Sequence, residues 1–351
     1  MGKLRESTYL FQCAGNIIDN SASILNSFAN SSFLITGSTG LIGSQLTRTL
    51  ILASEELSLN LNIVLPVRNT GKAIKLFTHT PYNHTRISII SWTLASPLPE
   101  DNEVDYIIHA ACSTSSKEFV NSPIDTIINI IKGTQTLLDY ATKNNVKRFL
   151  YLSTMEVYGE VSGLVSETNL GCLDPMIVRN SYPEAKRLSE CLVASYASQL
   201  NLSSSTIRLA QTFGEGVSYF DSRVFAEFGR CVREKKDIVL LTNGLSKNVY
   251  ISIDDTIRAL LYILLYGKSG EAYNAANPDT YCSILQMAHM VNTLFNNESS
   301  KIRFEEDPER SVTFRKSTDL NMDCSKLKSL GWEPLDSLED MYKTMLNSWK
   351  G

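Results

Sequence analysis

The sequence predicts an α/β fold, a doubly wound parallel sheet joined to a smaller, interleaved and mostly helical domain. One reason is that short apolar runs typical of buried strands alternate with segments of helical apolar spacing through residues 31–214. Another is that glycines at positions 37, 40 and 43 lie between the first such run and the first helical segment. Strand–helix–strand units of this kind are expected to cross over in the right-handed sense.

The elements are expected in a simple order. Residues 1–30 form an N-terminal helical extension whose apolar residues share one face: Ile17, Ile18, Ile24, Leu25 and Phe28. Strands are predicted at 33–36, 63–67, 86–90, 105–109, 148–152 and 205–209, and helices at 41–52, 71–78, 122–144 and 182–200. Residues 215–351 form a second, substrate-binding domain with short strands such as 238–241, and a strand near 271–276 returns to the main sheet.

Composition narrows the function classes. The chain has 351 residues, 43% hydrophobic, with a net charge of -4 and no run of Lys and Arg, so we expect no nucleic-acid partner. The seven cysteines form no Cys-x-x-Cys pair and only four histidines are present, so no metal site is expected and a reduced, cytoplasmic location fits. No apolar run reaches the ~18 residues of a membrane span, and we expect no membrane partner.

The glycines after the first strand predict a dinucleotide site. Gly37 permits a tight turn, Gly40 lets the backbone approach a pyrophosphate, and Gly43 lets helix and strand pack closely. The helix N-terminus then faces the negative charge. Residues 31–214 are therefore interpreted as a Rossmann-type NAD(P)-binding domain with these loop contacts: Gly37, Thr39, Gly40, Leu41, Ile42 and Gly43.

The end of the second strand leaves the cofactor's phosphate state open. An acidic residue there normally binds the adenosine ribose of NAD, but this chain has Arg68. Arg68 either binds a 2'-phosphate, which would favour NADP, or is a solvated surface arginine. NAD is the expected cofactor, with NADP as the open alternative.

Tyr182 and Lys186 are the predicted reacting pair. They lie four residues apart, on one face of a helix. A nearby ammonium lowers the pKa of a phenol, which can then take a hydroxyl proton as hydride leaves for a nicotinamide. Thr154 ends the strand at 148–152, so its hydroxyl is expected at the ligand-binding edge of the sheet.

With these motifs the chain resembles the extended short-chain dehydrogenase/reductases that act on nucleotide sugars, from about residue 31 to the C-terminus. The resemblance also rests on four shorter segments: His109-Ala110-Ala111, Asn129 with Gly133-Thr134, Thr154–Gly159, and Gly331-Trp332-Glu333-Pro334.

The resemblance implies roles for several residues. Thr154 would orient the sugar hydroxyl, Tyr182 would be the base, and Lys186 would bind the nicotinamide ribose. It places four further residues beside the cofactor: His109, Ala110, Ala111 and Asn129. It also implies a nucleotide-diphosphate sugar as substrate and a homodimer formed through the helices at 122–144 and 182–200.

Glu156 and Met155 bear on the chemistry that comes after the oxidation. In the resembled family 4-epimerases usually have a small or hydroxyl residue at the position of Glu156, whereas 4,6-dehydratases and UDP-glucuronate decarboxylases have Thr-x-Glu. A carboxylate there either removes a proton beside a C4 ketone or only accepts hydrogen bonds from the substrate. Met155 cannot donate a proton, unlike the aspartic acid of one dehydratase branch.

Three residues are candidate substrate contacts by resemblance to the UDP-glucuronate decarboxylases, in addition to Thr154 and Met155. Arg223, in Asp221-Ser222-Arg223-Val224, would bind the diphosphate. Gln211 stands where that group has asparagine, and Lys247 or Asn248 where it has arginine. These departures suggest an unusual sugar or nucleotide.

The leading interpretation is a redox-neutral, NAD-dependent nucleotide-sugar epimerase/dehydratase. Tyr182 and NAD oxidise the sugar transiently at C4, dehydration or decarboxylation comes next, and the hydride returns. A nucleotide-sugar 4-epimerase and a net NAD(P)H-dependent keto-sugar reductase are the alternatives. A non-catalytic dinucleotide-binding regulator would have lost Tyr182 or Lys186, and both are present.

Overall fold

The structure, a computed structural model, describes residues 2–78, 81–94, 96–99, 103–112, 116–295, 301–305 and 319–350. In chain order its strands are β1 Ser32–Thr36, β2 Leu61–Val67, β3 Thr85–Ser91, β4 Tyr106–His109, β5 Arg148–Thr154, β6 Ser162–Val165, β7 Ser204–Leu209, β8 Gln211–Phe213, β9 Ile238–Leu240, β10 Lys247–Ser252, β11 Glu271–Ala275, β12 Asn277–Ser283, β13 Ile302–Phe304 and β14 Asp319–Met322.

The helices in the described ranges are α1 Gly2–Arg5, α2 Tyr9–Asp19, α3 Ala22–Asn26, α4 Leu41–Leu57, α5 Thr70–Phe77, α6 Ser116–Asn121, α7 Pro123–Lys143, α8 Ser181–Leu200, α9 Val224–Arg233, α10 Ile253–Tyr266, α11 Ile284–Leu294, α12 Ser325–Lys328 and α13 Leu338–Ser348. Short 3-10 turns at Met155–Tyr158 and Val178–Asn180 follow β5 and precede α8. Within these ranges, no helix has the length and apolar character needed to cross a membrane.

The predicted doubly wound parallel sheet is confirmed. Seven strands pair in the order β11-β7-β5-β4-β1-β2-β3, and every pairing is parallel. All five residues of β1 are buried, as expected of a central strand covered on both faces. The order reverses between β1 and β4, and ligands of such sheets bind in the crevice at this reversal.

Local signals explain where the helices begin. The side chain of Asn69 accepts a hydrogen bond from the backbone N–H of Lys72 (2.8 Å) and caps α5. Ser252 caps α10 in the same way through Asp255 (2.9 Å). Pro123 occupies the start of α7, where its missing N–H costs no helical hydrogen bond.

The N-terminal extension packs as predicted, because all five residues of its expected apolar face are buried: Ile17, Ile18, Ile24, Leu25 and Phe28. Helix α2 packs against α4 and α10. The side-chain amide of Gln45 also donates to the carbonyl oxygen of Leu10 (2.9 Å). The extension therefore covers the outer face of the first helix of the sheet domain.

The second region is more interleaved with the first than the sequence indicated. Helices supply most of its regular structure, as predicted, but a five-stranded sheet also forms, with β12, β10, β14 and β6 in order and β8 beside β10. Strands β6 and β8 come from the 31–214 segment, whereas α10, from 215–351, packs on β5 and β7 of the main sheet. Residues 296–300, 306–318 and 351 of the predicted second domain lie outside the described ranges.

Candidate active site

The glycine loop after β1 is pressed against the segment that comes after β4. Gly37 has a φ of 70°, and a Cβ atom placed there would lie 2.7 Å from the carbonyl carbon of Ala110. A Cβ atom at Gly43 would lie 2.3 Å from the carbonyl oxygen of Gly37. Both positions therefore require glycine, one for its backbone conformation and one for the contact between α4 and the loop.

The loop is more open at Gly40, which precedes the first residue of α4. Among the described residues a Cβ atom there would meet only the carbonyl oxygen of Gly37, at 3.2 Å. Lys72 donates from Nζ to the carbonyl oxygen of Thr39 (2.9 Å) and adds positive charge beside the helix N-terminus. These features fit the pyrophosphate of NAD, which these residues would hold: Gly37, Thr39, Gly40, Leu41, Ile42 and Gly43.

His109, the last residue of β4, contacts Thr36, the last residue of β1. Its Nδ1 lies 2.8 Å from Oγ1 of Thr36, which also accepts a hydrogen bond from the backbone N–H of Ala111 (3.2 Å). Burial, followed by the charge of Lys186, lowers the pKa of His109 to about 3, so the imidazole is neutral. His109 and Thr36 thus position Ala110 and Ala111 at the crevice, and Thr36 is a contributor that the sequence analysis missed.

Two predicted cofactor contacts are not brought into this group. Arg68 is exposed just beyond β2. Asn129 is exposed on α7, while the next residue, Ile130, is buried and packs with Tyr182 and Phe119. Adjacent helical positions point about 100° apart, so the two residues face different surroundings. The cofactor contacts of Arg68 and Asn129 stay predictions.

Tyr182 and Lys186 lie together, as their spacing predicted. Both are in α8, with 6% and 4% of their surfaces exposed. Nζ of Lys186 donates to the carbonyl oxygen of Leu152 in β5 (2.7 Å) and lies 6.0 Å from the ring centroid of Tyr182. It also lies 4.5 Å from the ring of Tyr151. The ammonium is therefore fixed at the carboxyl end of β5, beside the phenol.

Two opposing influences act on the pKa of Tyr182. Burial, the larger one, raises the pKa above the ordinary value of a phenol, and Lys186 lowers it, as the spacing of the pair predicted. Desolvation penalises the phenolate more than one neighbouring cation stabilises it. Burial also disfavours the charged form of Lys186, but Tyr151, Cys112 and Tyr182 outweigh it and raise the pKa of Lys186.

The end of β5 places Thr154, Met155 and Glu156 in sequence along one turn. The hydroxyl of Thr154 accepts a hydrogen bond from the backbone N–H of Glu156 (3.3 Å), and Met155 is buried. The carboxylate of Glu156 forms an ion pair with Arg179, whose Nη2 lies 3.0 Å from Oε2. Arg179 was not among the predicted site residues.

Aromatic stacking connects this ion pair to the reacting phenol. The ring of Phe119 in α6 stacks on Tyr182, with centroids 4.2 Å apart and planes within 5°. The guanidinium carbon of Arg179 lies 5.1 Å from the centroid of Phe119. No sequence spacing links residue 119 to the others, so only the folded chain reveals Phe119 as part of this wall.

Apart from Thr154 and Met155, the predicted substrate contacts lie outside the seven-stranded sheet: Gln211, Arg223 and Lys247. Gln211 of β8 pairs with Tyr250 of β10, and Lys247 is the first residue of β10, so both belong to one sheet. Arg223 precedes α9 and forms a bidentate ion pair with Asp221, with Nε–Oδ1 and Nη2–Oδ2 distances of 3.0 and 2.7 Å. This pairing orients the Arg223 guanidinium.

Three reacting groups lie together in this crevice: the buried phenol of Tyr182, the ammonium of Lys186 and the carboxylate of Glu156. They lie beside a loop that fits a dinucleotide. Across the described ranges no group of three or more His, Cys, Asp or Glu side chains could hold a metal ion.

Comparison with known proteins agrees with this geometry. Residues 33–276 match the NAD dependent epimerase/dehydratase family. The chain is 28% identical over 319 residues to UDP-glucuronic acid decarboxylase 4 of Arabidopsis thaliana, covering 90% of this chain and 68% of the relative. It is 26% identical to the low-salt glycan biosynthesis protein Agl12 of Haloferax volcanii, covering 91% and 98% of the two chains.

Solved structures show the same fold. UDP-glucose 4-epimerase of Thermotoga maritima aligns with a TM-score of 0.75 at 20% identity, covering 91% of this chain and 98% of that one. The dTDP-glucose 4,6-dehydratase DesIV of Streptomyces venezuelae aligns with a TM-score of 0.73 at 21% identity, covering 91% and 97%. The family resemblance inferred from the motifs is confirmed: the chain belongs to the NAD dependent epimerase/dehydratase family.

Proposed function

We propose that the chain is a redox-neutral nucleotide-sugar enzyme that oxidises a sugar hydroxyl at C4 and then eliminates water or carbon dioxide. The observation that supports it most is the buried pair of Tyr182 and Lys186, with the Lys186 ammonium fixed on the carbonyl of Leu152 (2.7 Å). When bound, NAD supplies the capacity to accept hydrogen from the sugar carbon and to return it.

The proton of the sugar hydroxyl passes to Oη of Tyr182. Lys186 stabilises the phenolate that accepts it and counteracts the rise in pKa that burial causes. Thr154, at the end of β5, orients the hydroxyl. Burial keeps bulk water from competing for this proton.

Glu156 supports elimination rather than simple inversion at C4. A ketone at C4 makes the C5 proton acidic, and a carboxylate beside the reacting group can remove it. Met155 is buried at the neighbouring position and has no proton to give to a leaving hydroxyl. Within this proposal dehydration needs another proton donor for the leaving hydroxyl. Loss of carbon dioxide needs no such donor, but it leaves a C5 carbanion, stabilised as the enolate of the C4 ketone, which takes up one proton from solvent.

The nucleotide is proposed to be UDP, because the relatives include UDP-glucuronic acid decarboxylases. Arg223 would bind the diphosphate, since its planar donor array matches phosphate oxygens. Gln211 and Lys247, in the sheet of β8 and β10, would contact the rest of the substrate. The 31–214 and 215–351 segments remain our proposed cofactor and substrate domains, with the interleaving described above.

We also propose a cytoplasmic homodimer formed through α7 and α8. Apolar side chains on these helices are exposed, with Ile124 at 75%, Ile128 at 43% and Leu188 at 47%. Covering them with a second copy would remove apolar surface from water. Light scattering should give twice the chain mass for the wild type and a smaller mass for Ile128→Asp; a wild-type monomer would contradict the dimer.

A panel of nucleotide sugars tests the proposed function. We expect the protein to convert a UDP-sugar without added NADH or NADPH, to a product lighter by one water or one carbon dioxide. A product of unchanged mass with an altered NMR spectrum would show epimerisation instead. Stoichiometric oxidation of NADPH accompanying product formation would contradict redox neutrality and indicate a reductase.

A further inference from the structure

Arg179 lies in the cleft wall at a point that the proposed mechanism does not use. It belongs to the 3-10 turn Val178–Asn180 directly before α8. The last residue of the turn is fixed to the segment before it, because Nδ2 of Asn180 donates to the backbone carbonyl of Asp174 (2.9 Å) and the backbone N–H of Asn180 donates to that of Ile177 (2.8 Å). The guanidinium is thus held at the cleft by an ordered turn.

The Arg179 guanidinium has donors to spare. Among the described residues its one side-chain hydrogen bond runs from Nη2 to Oε1 of Glu156 (3.3 Å), and the same nitrogen lies 3.0 Å from Oε2 in the ion pair. The faces of Nε and Nη1 remain for a second oxyanion, and a planar guanidinium binds a carboxylate through two parallel hydrogen bonds. No second acidic side chain of the described residues pairs with Arg179.

The Arg179–Glu156 pair is also easy to exchange. The side chains are 31% and 22% exposed, so water reaches both. Ion pairs this accessible contribute little to stability, because hydration competes with the attraction. An incoming carboxylate can therefore replace Glu156 on Arg179 at small cost.

The position of Arg179 relates it to the reacting carbon. Phe119 stacks on Tyr182 on one side and contacts Arg179 on the other, and Glu156 lies two residues after Thr154. With the C4 hydroxyl at Tyr182, a sugar bound with C5 rather than C3 toward Thr154, Glu156 and Arg179 places its C5 substituent next to the wall that these three residues form. A substituent at C5 that is anionic would meet the only cation of that wall within the described residues.

We propose that Arg179 is the specificity-determining residue of the cleft and binds the carboxylate of an acidic nucleotide sugar, a hexuronate, in exchange for Glu156. This inference rests on the proposed function and refines it, because it names the sugar class. The exchange frees Glu156 to face the C5 side of the sugar. A neutral sugar brings no anion and leaves the Arg179–Glu156 pair intact.

The test is calorimetric binding of UDP-glucuronate and UDP-glucose, with NAD present, to Tyr182→Phe protein, which holds the ligands without turning them over. Adding Arg179→Gln should weaken UDP-glucuronate binding by about tenfold or more, in keeping with a lost charge-assisted contact, and change UDP-glucose binding little. Arg179→Lys keeps the positive charge but lacks the planar guanidinium. Its affinity for UDP-glucuronate should therefore lie between those of the Arg179 parent and Arg179→Gln. Glu156→Gln should instead tighten UDP-glucuronate binding, because it removes the carboxylate that competes for Arg179.

Arg233→Gln on α9 is the matched control and should change neither affinity. Equal loss of both ligands with Arg179→Gln, or no loss of either, would overturn the role of Arg179 while leaving the proposed function standing. Weakened UDP-glucuronate binding with Glu156→Gln would overturn the exchange. Failure of the Tyr182→Phe parent to bind either UDP-sugar would overturn the proposed function itself, and the inference with it.

Discussion

The two halves of the cleft are held together in different ways. The cofactor half, Gly37–Gly43 with His109–Ala111, is built from backbone, and a Cβ atom at Gly43 would lie 2.3 Å from the Gly37 carbonyl oxygen. The reaction half, formed by Phe119, Thr154–Glu156 and Arg179–Lys186, is built from side chains on separate segments. A backbone cradle tolerates few changes, whereas a wall of side chains can be altered one residue at a time. We therefore expect substitutions in the cofactor half to lower stability or NAD binding, and substitutions in the reaction half to lower turnover.

The largest effect is expected in the reaction half. Tyr182→Phe removes the phenol hydroxyl and keeps the ring that stacks on Phe119, so we expect kcat to fall by roughly a hundredfold or more with little loss of stability. Steady-state kinetics and thermal melting measure the two parts. Tyr151→Phe is the matched control, because Tyr151 is also buried beside Lys186 but is not the proposed base. Full turnover by Tyr182→Phe, or an equal loss with Tyr151→Phe, would contradict the assignment.

Two glycine variants should separate the contribution of the loop to stability from its contribution to NAD binding. Gly43→Ala forces a Cβ atom against a backbone carbonyl and should cost about 1–3 kcal/mol of stability, or a few degrees in melting temperature. Gly40→Ala has more room and should melt nearly as the wild type does, yet weaken NAD binding by about tenfold, because it fills the side that faces the ligand. Melting curves with and without NAD separate the two effects. A Gly40→Ala variant with wild-type NAD affinity would mean that the pyrophosphate lies elsewhere.

A smaller effect, on the pH dependence of stability, is expected at Glu215 and Asp254, which lie near Cys13 of the N-terminal extension. Burial, and next the charge of Asp254, raise the pKa of Glu215 well above its ordinary value, and burial raises that of Asp254 to about 7. Unfolded carboxyls lose their protons near pH ~4, while the folded pair retains protons, so this pair makes stability fall as pH rises from about 4 through about 7.

Glu215→Gln should therefore reduce the loss of melting temperature with rising pH and raise stability in mildly alkaline buffer. Melting temperatures across that range measure it. Glu234→Gln, at an exposed carboxylate paired with Lys236, is the control and should leave this part of the slope unchanged. An unchanged slope in Glu215→Gln would show that Glu215 is ionised in the folded protein throughout.

Local patterns explain what the sequence could predict. The seven-stranded sheet, the glycine positions and the Tyr182–Lys186 pair each depend on residues close together in the chain, where periodicity and spacing are informative. Burial, the largest influence on the pKa of Tyr182, could not be predicted from spacing, because it depends on Phe119 and other segments distant in sequence.

The remaining features depend on contacts that no spacing encodes. Arg179 reaches Glu156, and Thr36 reaches His109, only after the chain has folded. Strands β6 and β8 join a second sheet whose other members come from the far side of the predicted boundary. The cofactor contact of Asn129 was inferred from resemblance alone and stays a prediction; Asn129 is exposed on α7, whereas its neighbour Ile130 is buried.

The central claim is a redox-neutral reaction at C4 started by Tyr182. The most direct measurement uses the UDP-sugar identified by the substrate panel, labelled with deuterium at C4, with no added NADH or NADPH, and tracks the label by mass spectrometry. We predict that the product retains the deuterium, because the hydrogen removed from C4 is returned within the same turnover. A product that has lost the label to solvent, or an unlabelled product formed with stoichiometric consumption of added NADPH, would contradict the account.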